Sequence, residues 1–357
     1  MRLTLTRGRS ATACHRVLAL AVALTAMFAL PLCSRARARS LTQWRTPGFT
    51  SCVAWSPKGD RIAYVVDGPF DDGFSLLRAD IWVAHLNSVG RLVRPRRLAR
   101  LTRRRGIPVA LFWLSDDRLG WASAHYSERT PGRFGFVKTR LNDHKKTRRP
   151  LSGTFDSYQV CPSMEQAFGG PDDVYYDRTS RSLLFSGGIG AGVYAKILSV
   201  ATGHVRRLSL SGVSPLAPVT LCGLLRSRKG LALYVAAARQ QGPVGSGAFL
   251  IWLSRSYSLR TDKVLVNPPN YWVGYPRISP GAGTLAYESD RSKWGGIMLL
   301  DLRTGKSVSL AHYSPQHVYR GASFPAMGCP FSWSPDGKKI AYADGSKIKI
   351  VKVPKGF

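Results

Sequence analysis

The chain lacks the short signatures that announce the common chemistries. No Gly-x-Ser-x-Gly elbow, His-Glu-x-x-His helix, Walker loop or Cys-x-x-Cys pair occurs in its 357 residues. These absences leave no hydrolase nucleophile turn, no zincin site, no P-loop and no redox or zinc-ribbon pair. Residues 187–192 (GGIGAG) look like a nucleotide loop, but they precede a strand pattern instead of opening a helix, so they read as an inter-strand loop. The 7 His are scattered without ligand spacing, and no metal or cofactor is expected. Acid is scarce as well, with 20 Asp and Glu against 52 Lys and Arg and a formal charge of +32. Asp71-Asp72 and Asp172-Asp173 are where a hard cation would be sought. Asp116-Asp117 sits in a hairpin turn, where turn chemistry alone favours Asp.

A basic start, an apolar run and a small-residue exit occupy the N-terminus. Residues 1–16 carry four Arg and no acid, residues 17–33 are apolar, and Ala36-Arg37-Ala38 offers a small-x-small cleavage site. This order describes a secretory signal peptide over residues 1–38. The apolar run is near the short limit for a spanning helix, so an uncleaved membrane anchor is the rival. Either way residues 39–357 are expected as one domain outside the cytoplasm, periplasmic or extracellular, touching membrane only through an uncleaved leader. Losing residues 1–38 removes six Arg and no acid, leaving +26 (32 − 6).

The excess charge peaks in residues 91–105, with eight Arg in fifteen positions. Arg94, Arg96, Arg97, Arg103, Arg104 and Arg105 form a candidate polyanion patch suited to an acidic cell-wall polymer. The alternative is an Arg bias on a solvated face. Nothing base-reading accompanies the charge, so no nucleic acid partner is expected.

What the chain has is a hairpin, repeated six times. Trp55-Ser56-Pro57-Lys58-Gly59-Asp60-Arg61-Ile62-Ala63-Tyr64 is the first copy and Trp333-Ser334-Pro335-Asp336-Gly337-Lys338-Lys339-Ile340-Ala341-Tyr342 the last. The apolar residue after each turn falls at Ile62, Leu119, Leu183, Leu231, Leu285 and Ile340, in steps of 57, 64, 48, 54 and 55. That period is slightly longer than the about 40–50 residues of common propeller repeats. Third and fourth strands follow within each unit, as in residues 296–302 and 307–310. Hydrophobic residues at 44%, with 14 Phe, 14 Tyr and 9 Trp, can fill the core between stacked units. The pattern predicts an all-β, six-bladed β-propeller of four-stranded antiparallel blades. The sixth unit ends after the strand at 347–353. Residues 40–46 (SLTQWRT) have no other partner and are predicted to complete the last blade, closing the ring and protecting its edge.

The last copy resembles the TolB-type propeller repeat. Unit five adds Leu285-Ala286-Tyr287-Glu288-Ser289-Asp290-Arg291-Ser292, a strand at 297–302 and Thr304-Gly305-Lys306, similar to that family's order of strand, Ser-Asp-Arg loop, strand and Thr-Gly-Lys turn. The resemblance covers roughly residues 51–353 and implies a periplasmic or extracellular propeller that binds proteins or ligands. TolB itself carries an extra domain before its propeller, so TolB's own role is not expected here. The repeat is also similar to propellers that gate serine peptidases, but no hydrolase domain is expected after Phe357.

The repeat frame places the cysteines. Cys52, Cys222 and Cys329 lie seven, eight and eight residues before Gly59, Gly230 and Gly337, at the start of three innermost strands. Cys161 lies on the way into unit three. In an oxidising compartment the pairs Cys161–Cys222 and Cys52–Cys329 are predicted, against the alternative of free buried thiols.

Loop length then separates two rims. The turns inside each first hairpin are tight. The opposite rim is expected to carry long loops at 67–78, 124–135, 152–173, 236–248, 267–276 and 312–330, and long ordered loops usually serve function. Candidate binding residues there are Tyr271, Trp272, Tyr275, Trp294 and Tyr319, with His317, Arg129, Arg133, Arg239 and Arg320, since aromatics with Arg are common recognition groups. The expected function is an exported cell-envelope scaffold whose partner is an envelope protein or extracellular ligand. The alternative is a propeller lyase or glycosidase acting on an acidic polysaccharide, which needs His, acids or Tyr converging at the channel mouth.

Overall fold

The computed structural model describes residues 40–69, 78–102, 107–127, 130–141, 147–150, 173–177, 181–187, 194–202, 204–208, 216–227, 230–239, 246–253, 259–266, 273–289, 295–313 and 330–357. Every regular element among them is a strand. β1 (Ser40–Arg45) stands apart from the strands that follow it. β2 (Thr50–Trp55), β3 (Arg61–Asp67), β4 (Arg78–Leu86) and β5 (Leu92–Thr102) pair in that order as one sheet. β6 (Ile107–Ser115), β7 (Arg118–Ser127), β8 (Thr130–Arg140) and β9 (Thr147–Pro150) form the next. β10 (Asp173–Asp177), β11 (Ser182–Gly187), β12 (Tyr194–Ser199) and β13 (Val205–Leu208) follow, then β14 (Leu216–Ser227), β15 (Gly230–Arg239), β16 (Ser246–Leu253) and β17 (Leu259–Val266). β18 (Val273–Ile278), β19 (Thr284–Ser289), β20 (Gly296–Asp301) and β21 (Ser307–His312) precede the last sheet, built on β22 (Phe331–Trp333), β23 (Lys339–Ala343) and β24 (Lys347–Lys352). All pairing is antiparallel, and the first strands of successive sheets touch: β2 on β6, β6 on β10, β10 on β14, β14 on β18, and β2 on β22. The fold is a β-propeller.

The repeat residues explain the hairpins. Ser56 is buried beneath its turn. Its amide donates to the Arg61 carbonyl at 2.9 Å, and its hydroxyl accepts the Arg61 amide at 3.0 Å. Ser334 does the same with Lys339, and Ser279 with Thr284. The serine thus satisfies donors that the turn takes out of the ladder. The glycine that follows adopts φ 78° at Gly59 and 69° at Gly337, a left-handed backbone that a side chain resists. Each of these glycines lies against the proline of the preceding sheet's turn, Gly59 on Pro335 and Gly337 on Pro280.

The strand after the turn sorts its side chains by size. Ile62 and Tyr64 pack toward the last sheet, while Ala63 joins the core shared with the second sheet. Ile340 and Tyr342 likewise face the fifth sheet, and Ala341 faces the first. Strand alternation therefore puts bulk on one face and a methyl on the other. The small face admits the neighbour's inner strand. Trp113 and Trp333 complete that contact by donating their indole N–H to the preceding sheet, to the Ala54 carbonyl at 3.0 Å and the Arg277 carbonyl at 3.0 Å. Ala54 and Arg277 both stand two residues before their turn serine, so the two bonds are one repeated link.

The last and first sheets join differently. β1 pairs with β24, with Trp44 opposite Ile348 and Arg45 opposite Lys347, so the N-terminal strand completes the last sheet as the sequence predicts. Trp55 turns its indole to its own Gly59 carbonyl, and the Ser332 hydroxyl accepts the Trp55 amide instead.

Replacing Trp113 by Phe keeps most of the ring bulk but removes the indole N–H that the Ala54 carbonyl accepts, at an expected cost of about 1 kcal/mol. Urea unfolding should show a lower midpoint for Trp113→Phe than for Trp55→Phe, whose indole only closes its own turn. Equal midpoints would refute the inter-sheet role.

Candidate functional site on the long-loop rim

Because adjacent strands run antiparallel, connections alternate between two rims. Among the inner-hairpin and outer-hairpin turns the longest is 141–146. The opposite rim holds 68–77, 151–172 and 313–330. One expected long loop is instead mostly strand: β7 and β8 continue through 124–127 and 130–135, with Ser127 opposite Thr130. Residues 236–248 also shorten, since β15 runs to Arg239 and β16 begins at Ser246.

On this rim, three second strands end in or near an acid: Asp67 on β3, Glu288 on β19 and Asp344 just after β23. Asp67 accepts one side-chain hydrogen bond, from the Ser51 hydroxyl at 2.8 Å, and its amide donates to the Phe49 carbonyl. Burial pushes its carboxyl up to about 7 despite the opposing effect of Ser51. Asp344 is enclosed and pairs with the Lys349 ammonium, which stays partly exposed. Tyr313 lies 6.0 Å from Tyr342, ring centre to ring centre. Burial raises the Tyr313 phenol well above its usual value, and the charges of Glu288 and Asp344 add to this. Around the same corner Thr46 and Thr50 join hydroxyls at 2.9 Å, and their amides donate to the Ser346 and Gly345 carbonyls. The corner therefore holds a carboxyl whose protonated form burial favours, together with the partly exposed Asp344–Lys349 pair. Among the described residues no three His, Cys, Asp or Glu are placed to share a metal.

Tyr271, Trp272, Trp294, His317, Tyr319, Arg320 and Arg129 lie outside the described residues. Three candidates expected on loops stand on strands instead: Tyr275 on β18, Arg133 on β8 opposite His125, and Arg239 on β15 opposite Leu216. Strand pairing overrides the Gly and Pro signals that read as loop there. Cys161 and Cys329 are also outside the described residues. Cys222 falls at an irregularity of β14 between Leu221 and Gly223, and Cys52 is buried in β2.

The arginine run forms β5, the outer edge of its sheet. Arg96 donates to the Leu141 carbonyl of the second sheet, and Arg97 and Arg100 flank Asp80 at 3.7 and 3.1 Å. Much of this charge is therefore engaged in holding the edge, a use the sequence did not reveal. Arg94 is exposed, with left-handed φ 51°, and makes no ion pair among the described residues. Arg103, Arg104 and Arg105 are outside them.

No protein-family model matches the sequence, and no curated protein matches it. Solved structures do resemble the fold. TolB from Acinetobacter baumannii superposes with TM-score 0.50 at 14% identity, over 88% of this chain and 65% of that one. The putative TolB from Agrobacterium tumefaciens gives TM-score 0.50 at 14% identity, over 87% and 92%. An oligogalacturonate lyase in complex with manganese gives 0.50 at 12% identity, over 88% and 79%. The chain thus has the propeller fold of TolB-like proteins, shared with propeller enzymes, and it spans about two-thirds of the Acinetobacter TolB.

The raised Asp67 carboxyl predicts a pH effect. Its value in the fold lies above the usual 3.8, so the fold favours the protonated form. That stability is complete below pH about 4 and is lost as pH rises through about 7. Asp67→Asn should match the parent near pH 4 and exceed it at pH 8 by on the order of 2 kcal/mol in chemical denaturation. A constant difference across that range would refute the assignment.

Proposed function

We propose that the chain is an exported cell-envelope propeller of six blades that binds a protein or ligand through its long-loop rim. The observation that carries this is the unequal build of the rims. One carries the short hairpin turns, three of them serine-proline turns that stack Gly59 on Pro335 and Gly337 on Pro280. The other gathers the long connections, the raised Asp67 carboxyl and the partly exposed Asp344–Lys349 pair. The leader-like residues 1–38 and the fold shared with TolB support export.

Cysteine chemistry agrees with an oxidising compartment. Cys52 is disulfide-bonded. Cys329 stands two residues before β22, whose neighbour is β2, and is the proposed partner; Cys161–Cys222 is the second proposed bridge. A Cys52–Cys329 bond would lock the meeting point of the first and last sheets.

A second reading is an enzyme acting on an acidic polysaccharide. The Asp67 carboxyl, poised near neutrality on the working rim, favours it, as does the excess of positive charge. Incubation with oligogalacturonate and a divalent metal would release an unsaturated product if this reading holds.

Peptide mapping without reductant should recover Cys52 joined to Cys329, and Cys52→Ser should cost about 2–4 kcal/mol of stability. Recovery of Cys52 with another partner refutes the proposed bridge. Capture of an envelope partner should be lost when 314–329 is replaced by a short Gly-Ser linker and kept when Arg94 and Arg97 are neutralised. The reverse pattern would move the binding surface to the basic edge.

A further inference from the structure

A cavity of about 320 Å³ opens where the last sheet meets the first, away from the long-loop rim. Its walls are apolar: Trp44 on β1, Leu92 and Val93 on β5, Ile348 and Ile350 on β24. The volume is at the small end of ligand cavities, enough for an alkyl chain of medium length. The cavity is built, since the Thr42 hydroxyl donates to the Gly90 carbonyl at 3.0 Å and so ties β1 to the turn before β5. That turn is closed by the Asn87 carboxamide, which accepts the Arg91 amide at 2.8 Å.

Charge at the opening has one sign. Arg91 lines the cavity, is exposed and makes no ion pair among the described residues. Arg94, directly after Val93, is in the same state. No acid lines the cavity. An apolar slot with an unengaged guanidinium at its mouth matches an apolar tail ending in a carboxylate, because a bidentate Arg–carboxylate contact fixes the head while burial of the tail supplies the driving force.

We infer that this inter-sheet cavity binds a medium-chain alkyl carboxylate, held by Arg91 at its head and by Trp44, Val93 and Ile350 along its tail. The site is separate from the long-loop rim and does not depend on what that rim binds. One wall is β1 itself, so the ligand stabilises the docking of the closing strand by mass action.

The full-length chain is titrated with octanoate, acetate, octyltrimethylammonium and anionic phosphatidylglycerol vesicles, with thermal unfolding and calorimetry as readouts. Octanoate should raise the unfolding temperature and bind saturably; acetate and octyltrimethylammonium should do neither. Arg91→Glu and Val93→Glu should each weaken octanoate at least tenfold with circular dichroism unchanged. Arg303→Glu, which removes equal charge elsewhere, should leave binding intact. The inference is overturned if octanoate does not bind, if octyltrimethylammonium binds as well, if vesicles bind while octanoate does not, or if Arg303→Glu weakens octanoate as much as Arg91→Glu.

Discussion

The close approach of inner strands is the constraint on which the packing of neighbouring sheets rests, and an indole-to-carbonyl link marks it at two boundaries. Trp113 reaches the Ala54 carbonyl and Trp333 the Arg277 carbonyl, each across an inter-sheet boundary. Neither bond forms unless inner strands approach closely. The alanine of the repeat allows that approach, with Ala63, Ala286 and Ala341 fully enclosed. Bulk on one face and a methyl on the other give a sheet direction, so the first, second and last sheets seat large side chains against the small face of the one before. The turn serines follow from the same need, because inner strands crowded at the centre cannot leave a turn amide unpaired.

The meeting of the last and first sheets keeps the size sorting but lacks the indole link, and several unusual groups lie around it. Without an indole link, the joint relies on Ser332, on the threonine pair Thr46 and Thr50, and on the strand supplied by the N-terminus. The Asp344–Lys349 pair, the raised Asp67 carboxyl and the apolar cavity lie around the same joint. Charge in so basic a chain is partly structural: Arg96, Arg97 and Arg100 hold an outer edge that would otherwise offer open backbone to another sheet.

Much of the architecture is legible in the sequence because it is written in turns. Serine, proline and glycine at fixed spacing mark the inner hairpins, and the unfinished last unit calls for Ser40–Arg45, which pairs as expected. Pro131, Gly132 and Gly135 suggest a loop, yet cross-strand pairing carries β7 and β8 through them. Asp67 and Asp344 end apolar runs and read as turn residues; only the packed corner shows that burial and a lysine govern them. The indole acceptors of Trp113 and Trp333 are backbone carbonyls almost sixty residues away, which no local pattern reports.

The pairing of Ser40–Arg45 with Lys347–Lys352 has a consequence for the order of assembly. The earliest strand to leave the ribosome must wait, unpaired, for the last. Until then both the growing array and that strand present open edges, the condition in which chains associate wrongly. Closing so long a loop is an entropic step with no local reward, so it comes after the intervening sheets have stacked. The sheet that β1 completes therefore cannot be finished until β24 has been made.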